Sequence, residues 1–386
     1  GTAEIFIGGK DKVIPEKVFS PESTDDVVLI VKEAIKKKWN IVPRGAGTGL
    51  TGGAYVTEKR SIVVDLSKMN RFLEISKDDR YCNVEPGITG KELEGALNSQ
   101  GFYFPPSPAS YLFSTIGGNI AENSGGLKAV RHGVTRDFLM ALDVVTGNGD
   151  IINIGQFTEK SVSGYNLLSL FCGSEGTLGI ITGAVLRIAN IPRFKMGCIA
   201  FFKDYDTAFH SVRELFSSGI IPASIEFVDE LSIKAASTFS DLNAPAEAKA
   251  FILFELEGNI KENIEREFST LLKIIEKFSF RIYSDESIND ITSSKNSDIW
   301  EIRKSISPAL LNMAEVKINE DICVPRSRMT EMLSFISEIS AEENIPIASF
   351  GHAGDGNLHI NLLLEKDLPE RRASAHKVVK KIFQKC

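Results

Sequence analysis

An α+β fold in two domains is what this sequence predicts, and three observations predict it. A chain of 386 residues is too long for one ordinary hydrophobic core. Its first half is crowded with glycine between short strand-like and helix-like runs. After Ile191–Pro192 that character gives way to strand and helix patterns in alternation, the signature of helices packed on an antiparallel sheet. The boundary falls near residue 194, dividing the chain into 1–194 and 195–386.

The first element is a helix across 20–38. Ser23 caps it with Asp26 at the third helical position, and Val27, Ile30, Val31 and Ala34 share one face. Lys36–Lys38 close it, where cations meet the negative end of the helix dipole. A short strand, Ile41–Val42, leads into the glycine-rich run PRGAGTGLTGG at 43–53, and Ser61–Leu66 is the next strand. Thr89 and Glu92 make a capping box for a helix that carries Leu93 and Leu97 and stops at Gly101. The stretch 104–126 holds too much Pro and Gly for a long regular element, so it reads as loops around a short helix. Asn148-Gly149 turns a hairpin between LDVVT and IINIG, and 173–188 is a turn running into an apolar strand. Beyond the boundary, strands at 197–203, 222–228, 250–256 and 280–284 alternate with helices at 206–217 and 260–277, which suggests an α+β unit with helices packed on an antiparallel sheet.

Composition narrows the function classes. With 43% hydrophobic and 25% charged residues the chain is globular, and no apolar run approaches the ~18 residues of a transmembrane segment. A net charge of −7 offers no bulk attraction to nucleic acid or an anionic membrane. The five cysteines are scattered without a CxxC pair, against both a disulfide framework and a protein-held iron–sulfur cluster. A reducing cytoplasm is the expected location, and GTAEIFIGGKDKVIP has no signal-peptide character.

Gly45, Gly47, Gly49, Gly52 and Gly53 let main-chain N–H groups approach a ligand without a Cβ in the way, which suits a diphosphate. The run GAGTGL has Leu50 where a nicotinamide-binding Rossmann fingerprint has its last glycine, so that reading is set aside. In 350-FGHAGDGNLHINLL-363, Ala353–Gly356 is a turn. Strand alternation then puts His359 and Asn361 on one face and Leu358, Ile360 and Leu362 on the other. His352 and His359 flank that turn and can converge on one divalent metal, zinc, iron or manganese. In 300-WEIRKSISPAL-310, Trp300, Arg303 and Ser307 share a helical face. Arg303 offers the planar fork that matches a carboxylate.

The segments PRGAGTGLTGG, PPSPAS, STIGGNIAENSGG and GYNLLSLFCGSEGTLGIIT follow one another in this order. Together they resemble the FAD-binding domain of the vanillyl-alcohol oxidase, or PCMH-type, flavoprotein superfamily. The likeness is closest to the branch with D-lactate dehydrogenase, the glycolate oxidase D subunit and D-2-hydroxyglutarate dehydrogenase. It implies a two-subdomain PCMH-type FAD-binding domain followed by a ferredoxin-like α+β cap domain with an antiparallel sheet. It implies that Arg44, Gly45, Ala46, Gly47, Thr48 and Gly49 wrap the diphosphate of FAD, with Thr51 and Gly52 nearby. Pro106, Ser107, Gly117, Gly118, Asn119, Ser124 and Gly125 would line the rest, and Glu175, Gly176, Gly179 and Ile181 would meet the adenine and ribose end. No histidine lies between 41 and 60, so the FAD is expected to be non-covalent.

In the second domain the resemblance implies His352 and His359 as metal ligands, Arg303 for the substrate carboxylate, and Asn361 as a contact to the substrate or to a ligand. Ser307, and Lys317 or Asn319, are further contact candidates. A Gly-Glu-His-Gly segment with another metal ligand and a histidine base is also implied; this sequence contains none, and that base is expected beyond Cys386. The expected reaction is oxidation of a D-2-hydroxy acid, D-lactate ahead of glycolate, by hydride transfer to flavin. Electrons would leave to an electron-transferring flavoprotein, an iron–sulfur subunit, a quinone or a cytochrome, with the protein held at a membrane, if at all, through its partner. Three alternatives stay open: a non-catalytic flavin subunit, D-2-hydroxyglutarate dehydrogenase, and ether-lipid chemistry as in alkylglycerone-phosphate synthase.

Overall fold

The computed structural model describes residues 13–238, 244–290 and 298–386; the N-terminal stretch weighed above as a signal peptide lies largely outside them. The chain divides into two compact units, one of residues 192–386 with Ala129–Arg131, the other of the residues up to Lys128 with His132–Ile191.

The glycine-rich unit contains β1 (Lys17–Phe19), α1 (Thr24–Lys37), β2 (Asn40–Arg44), β3 (Ser61–Asp65), β4 (Phe72–Ser76), β5 (Tyr81–Val84), α2 (Gly90–Asn98), β6 (Phe102–Tyr103) and α3 (Ile116–Glu122). After α4 (Ala129–His132) come β7 (Leu139–Thr146), β8 (Ile151–Gly155), α5 (Leu167–Phe171), β9 (Gly179–Arg187) and β10 (Ala189–Asn190). It has two subdomains. A parallel sheet ordered β1-β3-β2 is covered by α1, whose buried Val27, Ile30, Val31 and Ala34 are the face the periodicity marks. Ser23 caps that helix through the Asp26 N–H, as its spacing requires. A five-stranded antiparallel sheet, β4-β5-β9-β7-β8, packs against α2 and α3. Both bonds of the Thr89–Glu92 capping box are present, and Gly149 takes φ +81° in the β7–β8 hairpin.

The second unit runs β11 (Phe194–Phe202), α6 (Tyr205–Ser217), β12 (Ser224–Asp229), α7 (Glu230–Ala236), β13 (Ala250–Gly258), α8 (Lys261–Ile275) and β14 (Arg281–Asp290). It continues with α9 (Asp298–Leu311), β15 (Val316–Cys323), α10 (Met329–Glu342), β16 (Ile347–His352), β17 (Asn357–Leu364) and α11 (Pro369–Lys385). These strands form one seven-stranded sheet in the order β14-β11-β13-β12-β16-β17-β15, antiparallel at every pairing. Its first four strands are the ferredoxin-like arrangement, and three later strands extend it beyond β12. One face buries a continuous apolar core against α6, α8, α10 and α11: Ile225 and Phe227 from β12, Ile252 and Phe254 from β13, Leu358, Ile360 and Leu362 from β17. The period of two therefore sends Glu226, His352, His359 and Asn361 to the opposite face.

Candidate active site

Two sets of predicted residues are each assembled by one unit. In the first, the loop after β2 packs on the N-terminal end of α3: Thr115 caps that helix through the Gly118 N–H, and a Cβ on Gly45 would collide with the Thr115 hydroxyl. Gly47 (φ +69°) and Gly52 (φ +96°) occupy backbone conformations that favour glycine. Among the described residues, none of the N–H groups from Ala46 to Leu50 donates to another backbone carbonyl. Arg44, Ala46, Thr48 and Gly49 are exposed beside them. Such a row of free donors in a Cβ-poor loop fits the diphosphate of a dinucleotide.

The other two glycine segments join this loop. The N–H groups of Gly173 and Glu175 donate to Ile120 and Ala121 carbonyls at 2.9 Å, tying the 173–176 turn to α3, and a Cβ on Gly176 would press on Pro43. The Thr51 hydroxyl lies 3.2 Å from the Glu122 carboxylate and 3.4 Å from that of Glu175. Burial and the Glu175 charge raise the pKa of Glu122. Ser124 follows α3 and accepts from Thr135, while Gly125 is half-buried beside it. Pro106 is buried and Ser107 exposed, with Gly126 packed so tightly on Ser107 that a Cβ there would overlap its main chain.

Some of the predicted glycines have packing reasons of their own: Gly117 leaves room for Pro86, and Gly179 for Val144 and Val145 in the paired strand. Asn119 is buried, and Ile181 turns its side chain into the core from β9, where it pairs with Val144.

In the second unit, α9 lies on the polar face of the seven-stranded sheet. It is anchored there by two buried carboxylates. Trp300 Nε1 donates to Glu255 Oε2 at 2.5 Å, and Arg303 Nε donates to Glu226 Oε2 at 2.7 Å. The other Glu226 oxygen lies 2.5 Å from His352 Nδ1. Glu226 is wholly buried and the Arg303 side chain is 11% exposed. Burial raises the carboxyl's pKa, but His352 and Arg303 outweigh it and hold Glu226 below the usual carboxylate range. Burial likewise lowers His352, and the Glu226 charge and hydrogen bond leave it above the ordinary imidazole value.

The Arg303 guanidinium stands 4.6 Å over the Phe350 ring. His359 is hydrogen-bonded through Nδ1 to Asp321, its cross-strand neighbour, and its ring meets that of His352 edge-on with centroids 5.2 Å apart. Ser307, one turn beyond Arg303, accepts from Lys317 Nζ at 2.7 Å, and burial lowers the pKa of that lysine. Asn361 is fully buried. Its Nδ2 donates to the carbonyls of His359 and Ala348, and its Oδ1 has no partner among the described residues.

With Nδ1 of each histidine tied to a carboxylate, both Nε2 atoms remain for a ligand, an arrangement that suits metal-binding imidazoles. Among the described residues, no group of three or more His, Cys, Asp or Glu side chains could hold a metal ion, so the pair by itself is an incomplete site. Sequence reading missed Glu226 and Asp321. The signal for Glu226 was present, a carboxylate in the middle of the apolar strand SIEFVD, which burial tolerates only with partners.

Fold and site together define a flavoprotein in two parts, one for the cofactor and one carrying a cation and imidazoles. Residues 15–155 match the model of the FAD binding domain, and residues 191–386 match that of the C-terminal domain of FAD linked oxidases. The chain belongs to the FAD-linked oxidase family and carries its FAD-binding domain. It is 36% identical over 376 residues to the glycolate oxidase subunit GlcD of Bacillus subtilis, covering 97% of this chain and 78% of that one. It is 33% identical over 367 residues to the D-lactate dehydrogenase of Anaerostipes hadrus, covering 92% and 75%. The structure of p-cresol methylhydroxylase shares the fold with a TM-score of 0.80 at 15% identity, over 100% of this chain and 83% of that one. No helix among the described residues is long and apolar enough to cross a membrane.

Proposed function

We propose that this protein oxidises a short D-2-hydroxy acid, D-lactate first and glycolate close behind, to the 2-oxo acid. The observation that carries the reading is the convergence of Arg303, His352 and His359 on one sheet face, two of them sharing Glu226. Its similarity to glycolate oxidase and D-lactate dehydrogenase supports it. FAD, when bound, supplies the two-electron acceptor for the hydride.

Arg303 binds the substrate carboxylate through the Nη edge that Glu226 leaves free. The Ser307–Lys317 pair adds a second polar contact on the same side. The Nε2 atoms of His352 and His359 take the hydroxyl side, and they would hold a divalent zinc, iron or manganese together with further ligands. The metal would acidify the hydroxyl as a Lewis acid. Asn361, whose Oδ1 has no partner among the described residues, is assigned as a contact to substrate or to a ligand on the same sheet face. Around the cofactor, the loops at Arg44–Gly52, Pro106–Ser107, Gly117–Gly125 and Glu175–Ile181 hold non-covalent FAD. Reduced flavin passes its electrons to an electron-transferring flavoprotein or an iron–sulfur subunit, in the cytoplasm or at a membrane through that partner.

Anaerobic addition of D-lactate, glycolate or D-2-hydroxyglutarate to the FAD-loaded protein, with and without a chelator, tests this. Bleaching of the flavin absorbance by D-lactate or glycolate, lost with chelator, is expected. A flavin that stays oxidised with every acid would leave a non-catalytic flavin subunit as the better reading.

A further inference from the structure

The groups that define the substrate side come from separate elements, Arg303 from α9 and His352 from the end of β16, yet they meet on a single carboxylate in β12. We infer that Glu226 is the positioning residue of this site, fixing at once the edge Arg303 presents and the nitrogen on which His352 keeps its lone pair. This rests on the reading of Arg303 and His352 as substrate-side groups.

The hydrogen-bonding inventory makes the assignment specific. An ionised carboxylate only accepts, and a guanidinium only donates. Arg303 Nε–H therefore fills Glu226 Oε2, which leaves the paired Nη groups free of it, and the Phe350 ring packs 4.6 Å from the guanidinium carbon. At Oε1 the neutral imidazole has to be the donor, so His352 carries its proton on Nδ1 and its lone pair on Nε2. A buried charge requires partners. Glu226, 0% exposed, has one on each oxygen. Nor does the attachment of α9 depend on Glu226 alone, because Trp300 holds the same helix to Glu255.

The substitution Glu226→Gln separates this role from simple packing. A carboxamide offers one acceptor and one donor. Arg303 can be met only by its oxygen, so its NH2 falls on His352 Nδ1, which must become the acceptor and move the proton to Nε2. The FAD-loaded protein, with chelator present and at the alkaline end of its stable range, is examined by NMR with 15N-labelled histidine.

His352 is expected as the Nδ1–H tautomer in the wild type and in Glu226→Asp, and as Nε2–H in Glu226→Gln. Flavin reduction by saturating D-lactate, without chelator, should fall about 100-fold in Glu226→Gln, while KM moves less than about threefold because Arg303 stays bonded. A wild-type His352 protonated on Nε2, an unchanged tautomer in Glu226→Gln, or full-rate flavin reduction by that variant would overturn the inference. The wild-type tautomer decides the matter even if Glu226→Gln does not fold. If no 2-hydroxy acid reduces the wild-type flavin, the proposed function falls, and the tautomers still decide whether Glu226 positions His352.

Discussion

Arg303 is where residue chemistry matters most, because two of its properties are in use together, the Nε–H on Glu226 and the cation over Phe350, and its Nη pair is left for the proposed substrate carboxylate. Lysine keeps only the charge. Arg303→Lys should raise the KM for D-lactate by ~10- to 100-fold, the loss of about 1.5–3 kcal/mol expected of charged hydrogen bonds, read by steady-state kinetics. Glu320 shows the opposite case, a carboxyl with an unpartnered oxygen among the described residues. It lies on the helix-covered face of β15 with Ile318 and Ile322, and its Oε1 has no hydrogen-bond partner among the described residues. Burial, with the Asp321 charge second, pushes its pKa from 4.5 up to about 7. A folded pKa above the unfolded one means that the stability is fully present below pH 4.5 and is lost as pH rises through about 7. Glu320→Gln removes that dependence. Relative to wild type the variant should gain up to ~3 kcal/mol between acid and mildly alkaline pH, measured by urea unfolding across that range; parallel pH profiles would contradict it.

At the scale of elements, the loop after β2 is shaped by its glycines in different ways. Gly45 is required by the approach of Thr115, whereas Gly47 is required by its own backbone, at φ +69° with Arg44 Cζ 2.7 Å from where a Cβ would sit. Gly47→Ala therefore costs ~1–2 kcal/mol of local strain. Its effect should appear as roughly tenfold weaker FAD binding in a flavin fluorescence titration, with the circular dichroism spectrum unchanged. The elements themselves were legible because their signals are local. The Ser23 cap, the Thr89–Glu92 box and the Asn148-Gly149 turn act within four residues, and each is in place. The strands β15, β16 and β17 were only partly legible. Period-two patterning told which residues of β17 share a face, but no local rule told that these strands would extend the ferredoxin-like sheet past β12.

For the whole molecule, three apolar clusters among the described residues each lie within one unit: one spans Met196–Ile382, and two others lie between Val27 and Ile188. Because FAD binds the native form of the glycine-rich unit, mass action stabilises that unit by about 2.7 kcal/mol at a flavin concentration 100 times Kd. Hydrogen exchange should record the gain as slower global opening of the amides in β7 and β9. Unchanged protection there would mean that flavin is held elsewhere.

What the sequence determined by itself was the division into two parts, the FAD cofactor and the choice of candidate side chains. Glycine spacing, capping and strand alternation are consequences of covalent geometry and short-range sterics, which need no tertiary context. Only the tertiary structure decided how those side chains are held. Glu226 and Asp321 are distant in sequence from the histidines they bind, and they meet them through pairing of β12 with β16 and of β15 with β17. A hydrogen bond between strands depends on which strands lie side by side and in what register, and that is settled by burial of the whole sheet face, not by any stretch of sequence alone.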